Sequence, residues 1–178
     1  LELAELDPSN LSEEHIGYLL APRLNALGRL DDANPAVELL ATLDENRART
    51  LAYQLEGLNT RRQLLTSQVY RAAVAQIEQD RSLLEPTALV LWHSSWPAGV
   101  IGIVASRLIE RFHRPVALVS TPEGEMGRGS ARSVEGVDIT AAIASQAHLL
   151  QGFGGHRMAA GFGILPEHLE EFRRGLGR

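Results

Sequence analysis

The longest regular pattern of hydrophobic and polar positions runs from residue 44 to about residue 81. Within it, apolar residues recur every three, four or seven positions with arginines and acids between them: Leu51, Leu55, Leu58, Leu65, Val69, Ala73 and Ile77. This spacing predicts a long amphipathic helix, in which Gly57 costs about 1 kcal/mol relative to alanine. Two interpretations stay open, because so narrow a stripe either packs against a neighbour or bridges two domains, or else lies on its own domain.

Shorter helical patterns precede this segment. Residues 11–32 carry apolar side chains at helical spacing, with Ser12 as a plausible N-cap. Pro22 is expected to break or kink a helix there, because it lacks a backbone N–H and its ring clashes with the preceding turn. Asn34 followed by Pro35 indicates a cap and the first turn of a short helix over residues 36–41.

After Pro86, short apolar runs alternate with helical patterns. The predicted elements are strand 88–92, helix 99–112, strand 115–120, strand 127–133, a helix from its cap Asp138 through residue 150, strand 158–164 and helix 166–176. The first strand, helix and strand predict a parallel pair with a right-handed crossover. The fold class is therefore α/β, with a mixed, partly parallel sheet flanked by helices and preceded by helices that include one long connector helix. Three parts are expected: 1–43, 44–85 and 86–178.

Composition narrows the chemistry that is available. The 178 residues include no cysteine, and all 17 basic residues are arginine. These absences exclude a disulfide scaffold, a thiolate zinc site, a cysteine nucleophile, a Walker A phosphate loop and a Schiff-base lysine. The formal net charge of -5 makes the surface as a whole repel nucleic acid, so any anion binding must be local.

The ends and the hydropathy of the chain bear on its context. No apolar run approaches the roughly 20 residues of a membrane helix, and no basic stretch followed by an apolar one opens the chain. We therefore expect a soluble, cytoplasmic protein with no membrane partner. Because the chain begins at Leu1 in a segment that resembles neither a start nor a signal, we expect a fragment of a longer protein.

Two glycine-rich segments are the main candidates for chemistry. The first, residues 127–133 (GRGSARS), combines flexible backbone with a hydroxyl and guanidinium groups. If it is a strand, Ser130 and Arg132 share one face, where Arg132 can hold a phosphate through two hydrogen bonds. It does not fit G-x-G-x-x-G, since Arg132 stands where the third glycine belongs. The alternative is a glycine-rich turn with two solvated arginines.

The second segment, residues 152–156 (GFGGH), predicts a loop whose amides and imidazole face something bulky. His156 is a candidate donor or electrostatic contact near a phosphate, although an isolated histidine is more often structural. A third candidate, the pair Asp31 and Asp32, is suited to holding a divalent ion or to acid–base work. We favour a role in capping the next helix, because no histidine or third carboxylate lies nearby in sequence. No other metal-binding motif occurs, nor does a G-x-S-x-G nucleophile elbow.

Taken together, four segments resemble the RecJ-type single-strand-specific DNA exonucleases of the DHH phosphoesterase superfamily. They are residues 20–30 (LAPRLNALGRL), 99–108 (GVIGIVASRL), 129–133 (GSARS) and 153–161 (FGGHRMAAG). They lie in family order and span most of the chain. The last two mark the DHH-associated domain in general, whereas the Asn-Ala-x-Gly-Arg stretch and the long helix point to the RecJ type.

The resemblance implies a two-lobed enzyme in which a DHH lobe binds two manganese or magnesium ions and a DHH-associated lobe closes over the strand. Residues 1–43 would then be the C-terminal edge of the DHH lobe with linker helices, and 86–178 the substrate-binding domain. Because neither Asp-His-His nor Asp-x-Asp occurs, we expect this chain to bind no metal and not to cleave DNA alone. The implied function is the substrate-binding C-terminal part of a 5′ to 3′ exonuclease in DNA repair and recombination.

The resemblance also implies site residues and partners. By motif position, Arg29, Ser130 and Arg132 look like contacts to DNA phosphate, while Gly154, Gly155 and His156 look like the loop that faces the scissile phosphate, with His156 in a supporting catalytic role. The expected partners are single-stranded DNA, the missing DHH lobe and a single-strand-binding protein. Aromatic side chains for base stacking are scarce near these motifs, where only Phe153, Trp92 and Trp96 occur.

Three alternatives stay open. A DHH phosphodiesterase for short oligonucleotides or cyclic dinucleotides shares the GGH segment but is expected to lack the Asn-Ala-x-Gly-Arg stretch. A non-catalytic module that binds RNA or protein, like the C-terminal domain of alanyl-tRNA synthetases, would show no preference for a single-stranded DNA end. In a plain scaffold, the glycines would serve turns and the arginines would be solvated.

Overall fold

The computed structural model describes all 178 residues, and the chain divides into two compact units, residues 1–65 and 66–178. The first unit contains α1 (Ala21–Leu30), α2 (Asn34–Ala41) and the beginning of α3 (Glu45–Gln79). The 35 residues of α3 confirm the predicted long helix, which continues without interruption through Gly57. No helix is both long enough and apolar enough to cross a membrane.

Two details of the first unit refine the predicted helices. Residues His15–Leu20 form a π-helical turn, and α1 follows it directly, with Pro22 as its second residue. The helical stretch therefore changes geometry just before Pro22. The prediction that Asn34 caps α2 was wrong, because Asn34 is the first residue of that helix and Ala33 is its N-cap. The Asn34 N–H instead donates to Asp32 Oδ1 (3.1 Å), which supports the capping role favoured for this carboxylate.

The second unit is built on a five-stranded sheet in the order β1-β2-β3-β5-β4. The strands are β1 (Leu89–His93), β2 (Val116–Ser120), β3 (Gly127–Arg132), β4 (Leu150–His156) and β5 (Ala159–Ile164). Only β1 and β2 pair in parallel, joined by α4 (Ala98–Phe112), while the other pairs are antiparallel. The predicted mixed, partly parallel sheet is confirmed.

The two faces of this sheet differ in what covers them. One face, which we call the core face, packs against α5 (Ile139–Ala144) and α6 (Leu169–Leu176). Its buried side chains are apolar and include Val90, Val119, Ala131, Ala160, Phe162, Ile164, Ile139, Ile143, Leu169 and Phe172. The other face packs against α4, whose side chains Val100, Ile101, Val104, Ala105 and Leu108 are buried. Burial of apolar side chains between the sheet and the helices on its two faces holds the second unit together.

Within the second unit, the last part of α3 is tied to its neighbours by polar contacts. Gln76 Nε2 donates to the carbonyl of Trp92 (3.3 Å), at the end of β1. Arg111 of α4 lies 3.6 Å from the carboxylate of Glu78. Val69, Ala73 and Ile77 form the buried stripe that the spacing predicted.

Two predictions after Asp138 were wrong. The Asp138 carboxylate does cap a helix, accepting the Ala141 N–H at 3.0 Å, but α5 ends at Ala144 rather than residue 150. The glycine segment predicted as a loop belongs to strand β4. Both differences have one cause, since Leu149 is buried in the core and the following residues pair with β5. Pairing of this kind outweighs local preference.

Candidate functional site

The site begins on β3, whose alternating side chains fall on opposite faces of the sheet. Ser130 and Arg132 both face α4, because a Cβ built at Gly102 of that helix would lie 2.8 Å from Ser130 Oγ and from Arg132 Nη2. The shared face is the one that strand alternation predicts. A glycine at position 102 therefore lets α4 approach the hydroxyl and the guanidinium closely.

Hydrogen bonds orient the Arg132 side chain, which is half-buried. Its Nη1 donates to Ser130 Oγ (3.1 Å) and to the carbonyl of Ala131 (2.8 Å). The hydroxyl and the guanidinium are thus held next to each other. A planar guanidinium beside a hydroxyl donor suits a phosphate oxygen, which accepts hydrogen bonds from both.

The register of β3, β5 and β4 extends this face to the edge of the sheet. Ser130 pairs with Gly161, and Gly161 pairs with Gly154. Because directly opposed residues point to the same face, both glycines lie on the face of Ser130. A Cβ at Gly154 would meet no heavy atom within 4 Å, and one at Gly161 would meet only the Gly129 carbonyl, at 3.8 Å. We call Gly161 and Gly154, which are both exposed, the glycine strip.

The neighbouring row contains the candidate histidine. Arg132 pairs with Ala159, and Ala159 pairs with His156 at the end of β4. Two strand spacings, about 10 Å in total, separate Arg132 from His156 across this row. We use the name open face for the glycine strip together with Ser130, Arg132, Ala159 and His156. A ligand lying along the strip would have Arg132 beside its β3 end and His156 beside its β4 end.

The imidazole of His156 is exposed and held by its own turn. Its Nδ1 accepts the Met158 N–H at 3.3 Å, while its backbone carbonyl accepts a hydrogen bond from Thr140 Oγ1 at 2.7 Å. With Nδ1 acting as an acceptor, the neutral ring carries its proton on Nε2. His156 therefore presents an N–H donor.

At two other glycines of these strands, a side chain would point to the core face. Glycine is required there by packing within the chain. A Cβ at Gly129 would lie 2.2 Å from the ring of Phe162. Gly155 has a φ of +155°, and a Cβ there would lie 2.3 Å from the Ala159 carbonyl oxygen. Packing within the chain thus demands glycine at both positions. Of the two predicted glycines of the GGH segment, Gly154 lies on the open face and Gly155 against β5.

No phenylalanine, tyrosine or tryptophan side chain belongs to the open face. Phe153 pairs with Phe162, which places it on the core face, where it is 42% exposed. Trp96 is buried, with 3% of its surface exposed. The Arg173 guanidinium stacks on the ring of Trp92, 3.8 Å from its centre. Of the aromatic residues that the sequence offered for base stacking, Trp96 is therefore buried, Trp92 is covered by Arg173, and Phe153 lies on the opposite face.

Arg29 belongs to the first unit, where it is exposed in the last turn of α1. Burial and, as a smaller effect, the charge of Arg29 lower the pKa of the Arg62 guanidinium. Arg62 also donates to Asn59 Oδ1 (2.9 Å). Since arginine stays charged at neutral pH, two positive charges lie near each other in this unit.

Neither unit contains a cluster that suits a metal ion. No group of three or more histidine, aspartate or glutamate side chains is close enough together to hold one. Of the predicted pair Asp31 and Asp32, the Asp32 carboxylate contacts the start of α2. The residues present do not form a divalent-metal centre.

Sequence reasoning missed Gly102 and Gly161. Gly102 interrupts the buried apolar face of α4, and a glycine in that position is a recognisable signal of close packing. Gly161 carries no such signal. Its importance depends on the register between β3 and β5, which the sequence does not contain.

Comparison with known proteins bears on this geometry. The family model for the DHHA1 domain matches residues 85–177. RecJ of Bacillus subtilis, a single-stranded-DNA-specific exonuclease, is 38% identical over 97% of this chain and 22% of its own length. The exonucleases RecJ of Dickeya dadantii and Escherichia coli are 39% and 38% identical, over 98% and 99% of this chain and 31% and 32% of theirs. The chain thus spans between about a fifth and a third of the curated relatives it matches.

Solved structures show the same similarity. Thermus thermophilus RecJ in complex with Mn²⁺ superposes with a TM-score of 0.87 at 34% identity, covering 99% of this chain and 25% of that one. The Mg²⁺ complex of the same protein gives 0.83 at 33% identity, covering 99% of this chain and 26% of that one. The matches include α3 as well as the sheet, because they extend over nearly the whole chain.

Proposed function

The chain belongs to the DHHA1 domain family and is RecJ-like over nearly its whole length, and from this premise we propose that it is the strand-binding segment of a single-stranded-DNA-specific exonuclease. The proposal includes cytoplasmic action in DNA repair and recombination, with degradation from 5′ to 3′. Because the chain spans only part of its relatives, hydrolysis is proposed for the whole enzyme and not for this segment.

The observation that carries the proposal is the pairing of Ser130 with the glycine strip. A side chain on Gly161 or Gly154 would have room within the chain, so neither position is glycine for internal packing. Without side chains, the sheet allows a sugar–phosphate backbone to approach its main chain closely. The Ser130 hydroxyl and the Arg132 guanidinium then donate to a phosphate at one side of the strip.

His156 has a supporting role in this proposal. Its Nε2–H is a second hydrogen-bond donor, located on the edge strand β4. The neutral imidazole is able to bind a phosphate oxygen, and the imidazolium cation would bind it more strongly. Gly155 allows the chain to reach that position, since its backbone conformation and its contact with β5 both require glycine. His156 is therefore proposed as a phosphate-facing residue at the edge of the sheet.

Binding of this kind is compatible with an acidic chain. The net charge of -5 repels DNA over the surface as a whole, so the attraction must come from groups at short range. Guanidinium groups suit this task, because they fix phosphate by geometry as well as charge. We assign Arg29 to the same strand-binding function in the first unit, where Arg62 adds a second positive charge.

Divalent ions enter the proposal only through the rest of the enzyme. Structures of related RecJ proteins contain Mg²⁺ or Mn²⁺, and such ions supply an activated water and charge stabilisation in phosphodiester hydrolysis. This chain would hold and orient the strand, and it would not cleave DNA by itself. A DHH lobe of the same protein and a single-strand-binding protein are the proposed partners.

Fluorescence anisotropy with a 5′-phosphorylated oligothymidylate, measured over a salt series, tests the proposal. We expect salt-sensitive binding by the 178-residue chain and about tenfold weaker binding by Arg132→Ala, with a log–log salt slope lower by about 0.7 for the lost phosphate contact. His156→Ala should weaken binding less, by about threefold. Arg174→Ala is the matched control, because Arg174 is exposed on α6 at the core side of the sheet.

Two results would overturn the proposal. The first is absence of binding at low salt by a chain whose folding is verified by circular dichroism. The second is equal loss of affinity in Arg132→Ala and Arg174→Ala, because the loss would then come from the change in net charge and not from a specific phosphate contact. Tighter binding of a cyclic dinucleotide than of the oligothymidylate would instead favour the phosphodiesterase for short substrates.

A further inference from the structure

One arginine of β3 has no role in the site described so far. Arg128 shares the face of Ser130 and Arg132, since the three residues are spaced two apart along the strand. It is exposed, and its guanidinium makes no hydrogen bond or ion pair with any residue of the chain. An arginine left unpaired beside a candidate phosphate site is available to a second anionic group.

The distance along β3 fits neighbouring phosphates. Residues two apart on a strand are separated by about 7 Å, which is close to the spacing of successive phosphates along an extended single strand. Arg128 therefore stands one such step from Ser130. A bound nucleic-acid strand could thus continue from the first phosphate position in the direction of β3.

A methionine covers the sheet beside Arg128. Arg128 pairs with Gly163, and a Cβ at Gly163 would lie 3.1 Å from Met126 Sδ and 3.2 Å from its methyl carbon. Met126 therefore lies over Gly163, on the same face as Arg128. Its side chain is 44% exposed. Gly163 differs in this respect from Gly161, above which no side chain lies.

We propose that Arg128 and Met126 form a second nucleotide subsite, in which Arg128 binds the next phosphate and Met126 contacts the sugar or base attached to it. This inference rests on the proposed function, and it specifies a ligand at least two nucleotides long. A polarisable thioether packs well against an aromatic ring. On a face with no phenylalanine, tyrosine or tryptophan side chain, Met126 takes the place of the usual stacking residue.

The combination favours nucleic acid over an acidic peptide. A carboxylate would be satisfied by Arg128 alone and would leave Met126 exposed to water. A nucleotide presents a charged group and an apolar surface a few ångströms apart, which matches the arrangement of the two side chains. Two phosphate positions along β3 also match a repeating polyanion.

A comparison of ligand lengths tests the subsite with the 178-residue chain. Thymidine 5′-phosphate fills only the Ser130–Arg132 position, whereas 5′-phosphorylated trithymidylate also reaches Arg128. We expect Arg132→Ala to weaken both ligands. Arg128→Ala should weaken trithymidylate about fivefold, as for the loss of an exposed ion pair, and leave the mononucleotide unchanged. Arg174→Ala should change neither.

The outcomes separate the two proposals. If the parent chain binds neither ligand, the proposed function fails, and the subsite fails with it. If the parent chain binds both, Arg132→Ala weakens both and Arg128→Ala has no effect on trithymidylate, only the second subsite is overturned. Equal weakening of both ligands by Arg128→Ala also overturns it, because Arg128 would then belong to the first phosphate position.

The contact with Met126 has its own readout. The chain has two methionines, so ¹³C-methyl labelling gives two NMR signals, which the Met126→Leu variant assigns. We expect the Met126 methyl signal to move when trithymidylate binds and to stay in place with thymidine 5′-phosphate. A signal that does not move with saturating trithymidylate would overturn the role of Met126.

Discussion

The two faces of the sheet use glycine for opposite purposes. On the core face, a Cβ at Gly129 would collide with Phe162, and one at Gly155 would collide with the backbone of β5. On the open face, the adjacent positions Gly161 and Gly154 have free space above them. Because neighbours along a strand face opposite sides, the two kinds of glycine are interleaved in the same few residues.

This contrast separates the requirements of the fold from those of a ligand. Glycine on the core face follows from packing, since a larger side chain would have to displace an aromatic ring or main-chain atoms. Glycine on the open face has no such cause within the chain. A molecule that lies on the strip would supply the cause, which is why the contrast supports strand binding.

The largest effect is expected for a substitution on the core face. Gly129→Ala places a methyl group against Phe162, whose ring is itself packed 4.8 Å from that of Phe172. We expect a loss of about 3 kcal/mol in the free energy of unfolding, as for an overpacked core. Urea denaturation followed by circular dichroism measures this loss. Partial recovery in the double variant Gly129→Ala, Phe162→Leu would identify the collision as its cause, whereas an unchanged midpoint would refute it.

A substitution one step away should have the opposite profile. Gly161→Ala should change the free energy of unfolding by less than about 0.5 kcal/mol, because its methyl group meets only the Gly129 carbonyl, at an ordinary van der Waals distance of 3.8 Å. The same methyl group stands between the sheet and a bound strand, so oligothymidylate should bind about tenfold more weakly. Anisotropy and urea denaturation on the same preparation give both numbers.

The control for this variant is Gly57→Ala in α3, where a Cβ also meets no atom within 4 Å. It should bind oligothymidylate as the parent chain does and gain stability from the better helix former. If Gly161→Ala also retained full affinity, the glycine strip would not be a binding surface.

A smaller effect is expected where α4 meets the open face. Gly102→Ala brings a methyl group within 2.8 Å of Ser130 Oγ and Arg132 Nη2, and the end of the arginine side chain is able to move away. We expect little change in stability, since alanine favours the helix, and about threefold weaker DNA binding because Arg132 is displaced. Unchanged affinity would show that the position of Arg132 is not set by α4.

Much of the fold follows from the sequence. The stripe of Val69, Ala73 and Ile77 predicted α3, and the apolar runs after Pro86 predicted β1 and β2, because burial leaves a strong periodic signal. Strand alternation also predicted that Ser130 and Arg132 share a face. The proposed boundaries at residues 43 and 85 and the roles of the site residues stay predictions.

What the sequence could not supply depends on strand pairing. β4 is exposed along most of its length, so it lacks the alternation of apolar and polar residues that marks a strand, and its glycines favoured a loop. For the same reason, the sequence could not predict which face of the sheet Phe153 lies on. Phe153 was a candidate for base stacking, but its pairing with Phe162 places it on the core face. The positions of Gly161 and Met126 beside the β3 side chains depend on the register between β3 and β5, which the sequence does not contain.

Alanine methyl groups offer the most direct test of binding on the open face. Ala159 lies there, whereas its neighbour Ala160 and the paired Ala131 are buried in the core. In a chain labelled with ¹³C at alanine methyl groups, 5′-phosphorylated oligothymidylate should shift the Ala159 signal and leave those of Ala131 and Ala160 nearly unchanged. Binding that leaves the Ala159 signal in place would contradict the account, because the strand would then lie elsewhere on the protein.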